Sequence, residues 1–180
     1  MANYHIFTDG SSRGNPGKGG WGMIVMTEDE SQVIFTESDS EEYVTNNRME
    51  LKAMLCALGY AESHPNDFFI IKSDSAYVVN SCNTWMRGWA ANGWRNSKKQ
   101  EVENVDLMKA LWGYISRPFF NAEIRKCSGH AGEAGNELAD ALATGSRSKY
   151  QEIMEMWNLI PEENDEPFIP YIGDNWFPID

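Results

Sequence analysis

The 180-residue chain is short of two things: it has only three cysteines, and its 15 lysines and arginines face 27 aspartates and glutamates, giving a formal charge of −12 at pH 7. Three thiols, Cys56, Cys82 and Cys127, are too few and too odd in number for a disulfide framework. Each therefore reads as a small buried hydrophobe in a reducing compartment. No apolar run approaches the roughly 20 residues that span a bilayer, and residues 1–7 lack the basic start and long apolar stretch of a signal peptide. The expectation is a soluble cytoplasmic protein without a membrane partner. The scarcity of positive charge argues at first against nucleic acid, because phosphate binding rests on cations. Hydrophobic residues at 42% and charged residues at 23% exclude a disordered or fibrous chain, and the length suits one ordinary core.

The charge is unevenly placed. Residues 150–180 hold eight acids, no lysine or arginine, and four of the seven prolines, so most of the −12 belongs to this tail and the first 149 residues carry only −4. Residues 28–42 hold seven more acids and no base. The rest of the body is basic once four acids considered below are set aside, with eight acids against 15 bases.

Residues 4–8 form an aromatic and β-branched run followed by the turn-like Asp9-Gly10-Ser11-Ser12. With residues 21–27 and 32–36 they predict a three-strand antiparallel start. Residues 45–61 have the length and apolar content of a buried helix. Residues 67–72 read as a fully buried strand ending at Ser73-Asp74, followed by a helix over 76–83. A helix-connection-helix segment through Trp85, Trp89 and Trp94 leads to a helix over 102–115. A last strand at 122–126, a glycine-rich loop at 129–135 and a helix at 136–144 complete the body. Strands followed by alternating helices and strands imply an α/β fold with a mixed sheet and helices on its faces.

Asp9 and Asp74 each end a predicted strand, where open α/β sheets place their sites. Glu50 and Asp140 lie within apolar helical patterns. Any one of these acids alone is best read as a cap or a solvated carboxylate. Four converging on one sheet edge would instead need cations or donors, and would suit Mg²⁺, two ions of which, roughly 3.5–4 Å apart, can clamp an in-line phosphoryl displacement.

Phe7-Thr8-Asp9-Gly10-Ser11, Gly14-Asn15-Pro16-Gly17, Gly19-Gly20-Trp21-Gly22, Thr45-Asn46-Asn47-Arg48-Met49-Glu50-Leu51, Ser73-Asp74-Ser75-Ala76-Tyr77-Val78 and Gly129-His130-Ala131-Gly132 with Asn136-Glu137 and Asp140 occur in order over residues 4–145. Together they resemble ribonuclease H type 1. The resemblance implies the ribonuclease H-like fold, a five-stranded mixed sheet with helices on both faces. It also implies an endonuclease that cuts the RNA strand of RNA·DNA hybrids with Mg²⁺, or Mn²⁺ in substitution, leaving 5′-phosphate and 3′-hydroxyl ends. Asp9 would bridge both ions, Asp140 would complete the side that activates water, and Glu50 and Asp74 the side of the leaving 3′-oxygen. His130, by itself an unremarked loop residue, would assist proton transfer or product release. Cys127 and His130 have no second Cys/His pair with which to hold zinc.

The same resemblance assigns Asn15, Asn46 and Asn47 to RNA 2′-hydroxyls and base edges, and Thr45 and Asn104 to a DNA phosphate. It makes Tyr77 and Trp89 the aromatic pair lining the DNA channel, and residues 85–99 the basic handle of cellular members. Asn and Gly also suit turns, and Thr45 is a natural N-cap; Trp85 is expected to be buried. Ala90-Ala91, Tyr43 and Ala76 stand where basic or larger residues are usual in the family, which implies weaker, more salt-sensitive binding. With the first catalytic acid at position nine, no N-terminal hybrid-binding domain is expected, and monomer is the default.

Residues 1–146 are thus read as the catalytic domain and 147–180 as a C-terminal helix, with Tyr150, Ile153, Met154 and Trp157 on one face, plus an acidic, proline- and aromatic-containing tail. That tail is expected to drape over the body, or else to contact the handle or a protein partner. The rival readings are a catalytically silent hybrid-binding module on the same fold and a related phosphoryl-transfer enzyme such as an integrase or junction resolvase.

Overall fold

The computed structural model describes residues 1–128 and 132–162. Strands β1 (Asn3–Gly14), β2 (Gly17–Thr27) and β3 (Val33–Val44) form the antiparallel start, and β4 (Phe68–Ser73) and β5 (Ala122–Lys126) add in parallel, giving the sheet order β3-β2-β1-β4-β5. Helix α1 (Asn46–Ser63) follows β3. Helix α2 (Ala76–Asn80), a π-helical turn (Ser81–Trp85) and α3 (Met86–Ala91) follow β4, α4 (Val105–Ile115) precedes β5, and α5 (Ala134–Thr144) and α6 (Arg147–Met156) follow it. No helix among the described residues is long and apolar enough to cross a membrane.

The alternation of strand side chains divides the core in two. Ile6, Met23, Val25, Phe69 and Ile71 point into a cluster with Leu51, Met54 and Leu58 of α1 and Met108 and Leu111 of α4. Their neighbours Phe7, Ile24, Met26 and Val33 point the other way, onto Leu138, Ala141 and Leu142 of α5 and Tyr150 and Ile153 of α6. The expected mixed sheet with helices on both faces is therefore present. Full burial of each large aliphatic side chain in these clusters contributes about 1.5–3 kcal/mol.

Four local expectations are corrected. Residues 9–12 are not a turn: pairing of Asp9 with Gly22 and of Ser12 with Gly19 carries β1 to Gly14, because its antiparallel partner is long enough to continue the ladder. Strand β4 is buried only at alternate residues, with Phe68, Ile70 and Lys72 half-buried, because α5 lies over β1 and β2 rather than β4. Trp85 is 42% exposed, not buried; it ends the π turn and leans on Trp89 at 5.9 Å between ring centroids, while the next residue, Met86, takes the core position. Cys82 and Cys127 are buried as expected, but Cys56 is only half-buried, its thiol donating to a Glu37 carboxylate oxygen at 2.8 Å.

Helix α6 is held in the body by Tyr150 and Ile153, and the residues after it return to the sheet edge. There Val33 N donates to Ile160 O at 2.8 Å, Ile160 N donates to Ser31 O at 3.0 Å, and Thr36 Oγ1 donates to Glu162 Oε1 at 2.8 Å. Residues 163–180, on which the tail expectation rests, lie outside the described residues. Replacing Ile153 by Ala should cost about 2–4 kcal/mol of unfolding free energy, the loss typical of a buried aliphatic side chain, measured by urea unfolding; a change below about 0.5 kcal/mol would show that α6 is not part of the cooperative core.

Candidate active site

Parallel pairing of β1 and β4 ends at Thr8 opposite Ser73, so Asp9 and Asp74 are the next residues of two adjacent strands. Strands in a sheet lie about 4.7–4.9 Å apart, and this register alone makes the two carboxylates neighbours. Past Ser73 the chain turns: Ser75 N donates to Ser73 Oγ at 3.1 Å, and Ser75 caps α2 by accepting from Val78 N at 3.2 Å. Asp74 is thereby fixed in the junction between strand and helix.

Glu50 arrives from α1. Thr45 caps that helix by accepting from Arg48 N at 3.2 Å, which starts the helix at Asn46 and sets Glu50 just beyond its first turn. Gly10 allows the approach: a side-chain carbon there would lie 2.3 Å from the Glu50 backbone nitrogen and 2.4 Å from the Met49 carbonyl carbon. Only a residue without Cβ lets the helix start rest on β1 beside Asp9.

The result is a cluster in which one carboxylate oxygen each of Asp9, Glu50 and Asp74 lie within 4.8 Å of one another. Asp9 is 6% and Glu50 9% exposed, and Asp74 is half-buried. Asp9 accepts from Gly10 N at 2.9 Å, whereas Glu50 Oε2 is buried with no hydrogen-bond partner. Burial first, then the charges of Glu50, Asp74 and Asp140, push the Asp9 carboxyl well above its ordinary range. Burial pushes Glu50 up to about 8, with Asp74 and Asp140 adding to the shift. Asp74 is raised by burial and by Asp140, with Lys126 opposing.

Such an arrangement is costly without a cation. An orphaned buried oxygen among three oxygen donors fits a hard divalent ion, which prefers carboxylate and water ligands. Asp140 is close enough to act on all three, but its own Oδ2 is paired with the Lys149 ammonium, and both side chains are about 40% exposed. No motif pointed to Lys149, which lies at the start of the expected C-terminal helix.

The other expected residues fall into two groups around this cluster. Asn46 Oδ1 accepts from Ser12 N and, at 2.9 Å, from Ser12 Oγ, while Asn15 Oδ1 accepts from Asn46 N at 3.1 Å. These bonds tie the β1–β2 hairpin, which contains a cis Asn15–Pro16 bond, to the start of α1; Asn47 beside it is exposed. In the second group Arg48 donates to Asn104 Oδ1 at 3.2 Å and forms a two-pronged ion pair with Asp106 at 3.0 and 2.9 Å. Asn104 in turn donates to the Tyr77 hydroxyl at 3.1 Å. Tyr77 and Trp89 both pack against the α1-side core, and Trp89 makes its ring contact with Trp85. His130 lies outside the described residues.

The sheet order and the carboxylates at its parallel junction define a ribonuclease H-like α/β protein. The RNase H family model matches residues 1–148. The chain is 44% identical over 144 residues to the Ribonuclease H of Janthinobacterium sp. (strain Marseille), covering 79% of this chain and 94% of that one. It is 40% identical over 148 residues to the Ribonuclease H of Bartonella bacilliformis, covering 82% and 90%. Among solved structures, LC9-RNase H1, described as a type 1 RNase H with the type 2 active-site motif, superposes with a TM-score of 0.69 at 26% identity over 93% of this chain and 88% of that one. The solution structure of the PFV RNase H domain gives 0.69 at 27% identity over 80% and 93%. The chain belongs to the RNase H family, hydrolases that act on the RNA strand of RNA/DNA hybrids.

The raised carboxyls carry a sign. Glu50 ordinarily titrates near 4.5 and stands at about 8 in the folded protein, so the fold favours its neutral form. That contribution is complete below about pH 4.5 and is lost as pH rises through about 8. In chelator, stability should therefore decline over this window, and Glu50→Gln should flatten the decline. Thermal unfolding against pH checks this; an unchanged slope in the variant would show that Glu50 is not the group responsible. Gly10→Ala should destabilise the fold by at least about 1–3 kcal/mol, the usual range for overpacking, because backbone rather than a flexible side chain must yield.

Proposed function

We propose that the chain is an endonuclease that hydrolyses the RNA strand of RNA·DNA hybrids with Mg²⁺, leaving 5′-phosphate and 3′-hydroxyl ends. The observation that carries this reading is the buried Asp9, Glu50 and Asp74 cluster, with its unpartnered Glu50 oxygen, in a chain of the RNase H family. Two divalent ions held there would supply an activated water and stabilise charge on the leaving 3′-oxygen.

The protein's own residues divide the remaining work. Asp9, which feels all three other acids, would help to hold both ions. Glu50 and Asp74 would hold the ion that stabilises the leaving group and Asp140 the one that activates water, and His130 would assist proton transfer or product release. The hairpin and helix start, fastened together through Ser12, Asn15 and Asn46, present Asn15, Asn46 and Asn47 to the RNA strand one turn before Glu50. A 2′-hydroxyl is both donor and acceptor, which suits amide side chains on that strand.

On the DNA side, Thr45 and Asn104 hold a phosphate, and Tyr77 and Trp89 form the floor on which deoxyribose packs. Arg48 braces this surface from below by joining α1 to Asn104 and Asp106. The segment 85–99 serves as the handle. Its four basic residues, Arg87, Arg95, Lys98 and Lys99, are all exposed, with Arg87 over the Trp112 ring at 5.7 Å and Arg95 donating to the Lys99 carbonyl at 3.2 Å. The handle therefore offers at most four cations to phosphates. In this reading the protein works as a cytoplasmic monomer.

Incubating the protein in Mg²⁺ with RNA·DNA hybrid, double-stranded RNA and double-stranded DNA of one sequence should give cleavage of the hybrid's RNA strand alone. Asp9→Asn should reduce cleavage to background with the circular dichroism spectrum unchanged. A wild-type protein that binds hybrid but never cuts it would establish the silent binding module instead, and cleavage of duplex DNA would favour the integrase-like reading. Hybrid affinity should be weak but should fall only shallowly with salt, contrary to the expectation of more salt-sensitive binding, because the slope scales with the number of phosphates neutralised and few are; a slope implying many phosphate contacts would contradict the sparse handle.

A further inference from the structure

Lys149 is the one cation in contact with a carboxylate of the active site among the described hydrogen bonds and ion pairs, and the family reading gives it no role. Its backbone is firmly placed. Helix α5 stops at Gly145, whose φ of 72° is left-handed and suits glycine, and Ser146 then caps α6 by accepting from Lys149 N at 3.2 Å. The following residue, Tyr150, and then Ile153 are buried in the apolar cluster that α5 and α6 share with the sheet. The first turn of α6 is therefore anchored on both sides of Lys149. That side chain runs back over α5 to place its ammonium on Asp140 Oδ2, nine residues earlier.

Asp140 is also the carboxylate that stands apart. Asp9, Glu50 and Asp74 meet without it, although it adds repulsion to each of them. An ammonium there offsets that repulsion and occupies one of the oxygens that a divalent ion on the Asp140 side would need.

We propose that Lys149 is a positioning residue that holds Asp140 as an internal counter-cation, so that an ion using Asp140 must first displace the Lys149 ammonium. This inference rests on the divalent-ion reading above. Its consequence is unequal affinity: the ion held by Asp9, Glu50 and Asp74 binds without competition, whereas the one that uses Asp140 competes with a tethered positive charge. Both side chains are partly solvent-exposed, so the pair is of the modest surface kind, and its removal should change affinity by about fivefold rather than by orders of magnitude.

The test is calorimetric titration of the full chain with Mn²⁺, without nucleic acid, for the wild type, Lys149→Met and Lys149→Arg. The expected result is that Lys149→Met tightens the weaker ion about fivefold and the stronger one much less, while Lys149→Arg keeps wild-type values. In an Asp140→Asn background, Lys149→Met should change nothing. The Mn²⁺ concentration for half-maximal hybrid cleavage should fall in step. Folding is verified by circular dichroism and melting temperature, and Lys149→Gln serves if the Met variant is unstable. Ion affinities that are unchanged or weaker in both neutral variants would overturn the inference while leaving the metal site standing. Absence of Mn²⁺ binding to the wild type would overturn the metal site and this inference together.

Discussion

Crowding of like charge at the end of the β1–β4 pairing is the constraint around which the molecule is arranged. Two adjacent parallel strands end in aspartates, and a glutamate is pressed onto them by a helix that can come close only because residue 10 is glycine. A soluble protein ordinarily spreads such charges over its surface, where water screens them. Here Asp9 and Glu50 are buried, one Glu50 oxygen has no partner, and the carboxyls are pushed toward their neutral forms. The stability spent in assembling this cluster is supplied by the two apolar layers, whose large side chains interlock with α1 and α4 on one face of the sheet and with α5 and α6 on the other.

The groups around the cluster are held by bonds that also explain their sequence. Asn15 and Asn46 were open to either a turn or a binding reading. In the folded chain their amide oxygens fasten the hairpin to α1, a structural task that leaves their amide nitrogens for other partners. Arg48 is engaged by Asp106 and Asn104, and so acts as a brace between helices rather than as a free phosphate ligand. Positive charge near the site is thus largely committed to internal contacts, in keeping with the chain's acidic balance.

Much of the fold was legible because alternation and helical spacing are local properties. The strand at 122–126 and the N-cap at Thr45 followed directly from residue type. The misreadings share a cause. Asp9 to Ser12 looks like a turn until β2 is paired with it, β4 looks fully buried until α5 is found to lie over other strands, and Trp85 looks like core until the π turn rotates it outward. In the first two cases a partner distant in sequence decided the outcome, and in the third a departure from regular helix geometry did. Residues 129–131 and 163–180, which include His130 and most of the acidic tail, remain matters of sequence alone.

The sequence by itself determined the family and the segregation of negative charge, and it singled out four acids, because these are carried by residue types in ordered motifs. Only the tertiary structure decided that three of the acids meet while the fourth is paired with Lys149, and that Gly10 sets the distance between β1 and α1. Spacing along a chain orders residues, but distances between carboxylates depend on strand register and on how closely helices pack. Those are properties of the folded layers and of no single segment.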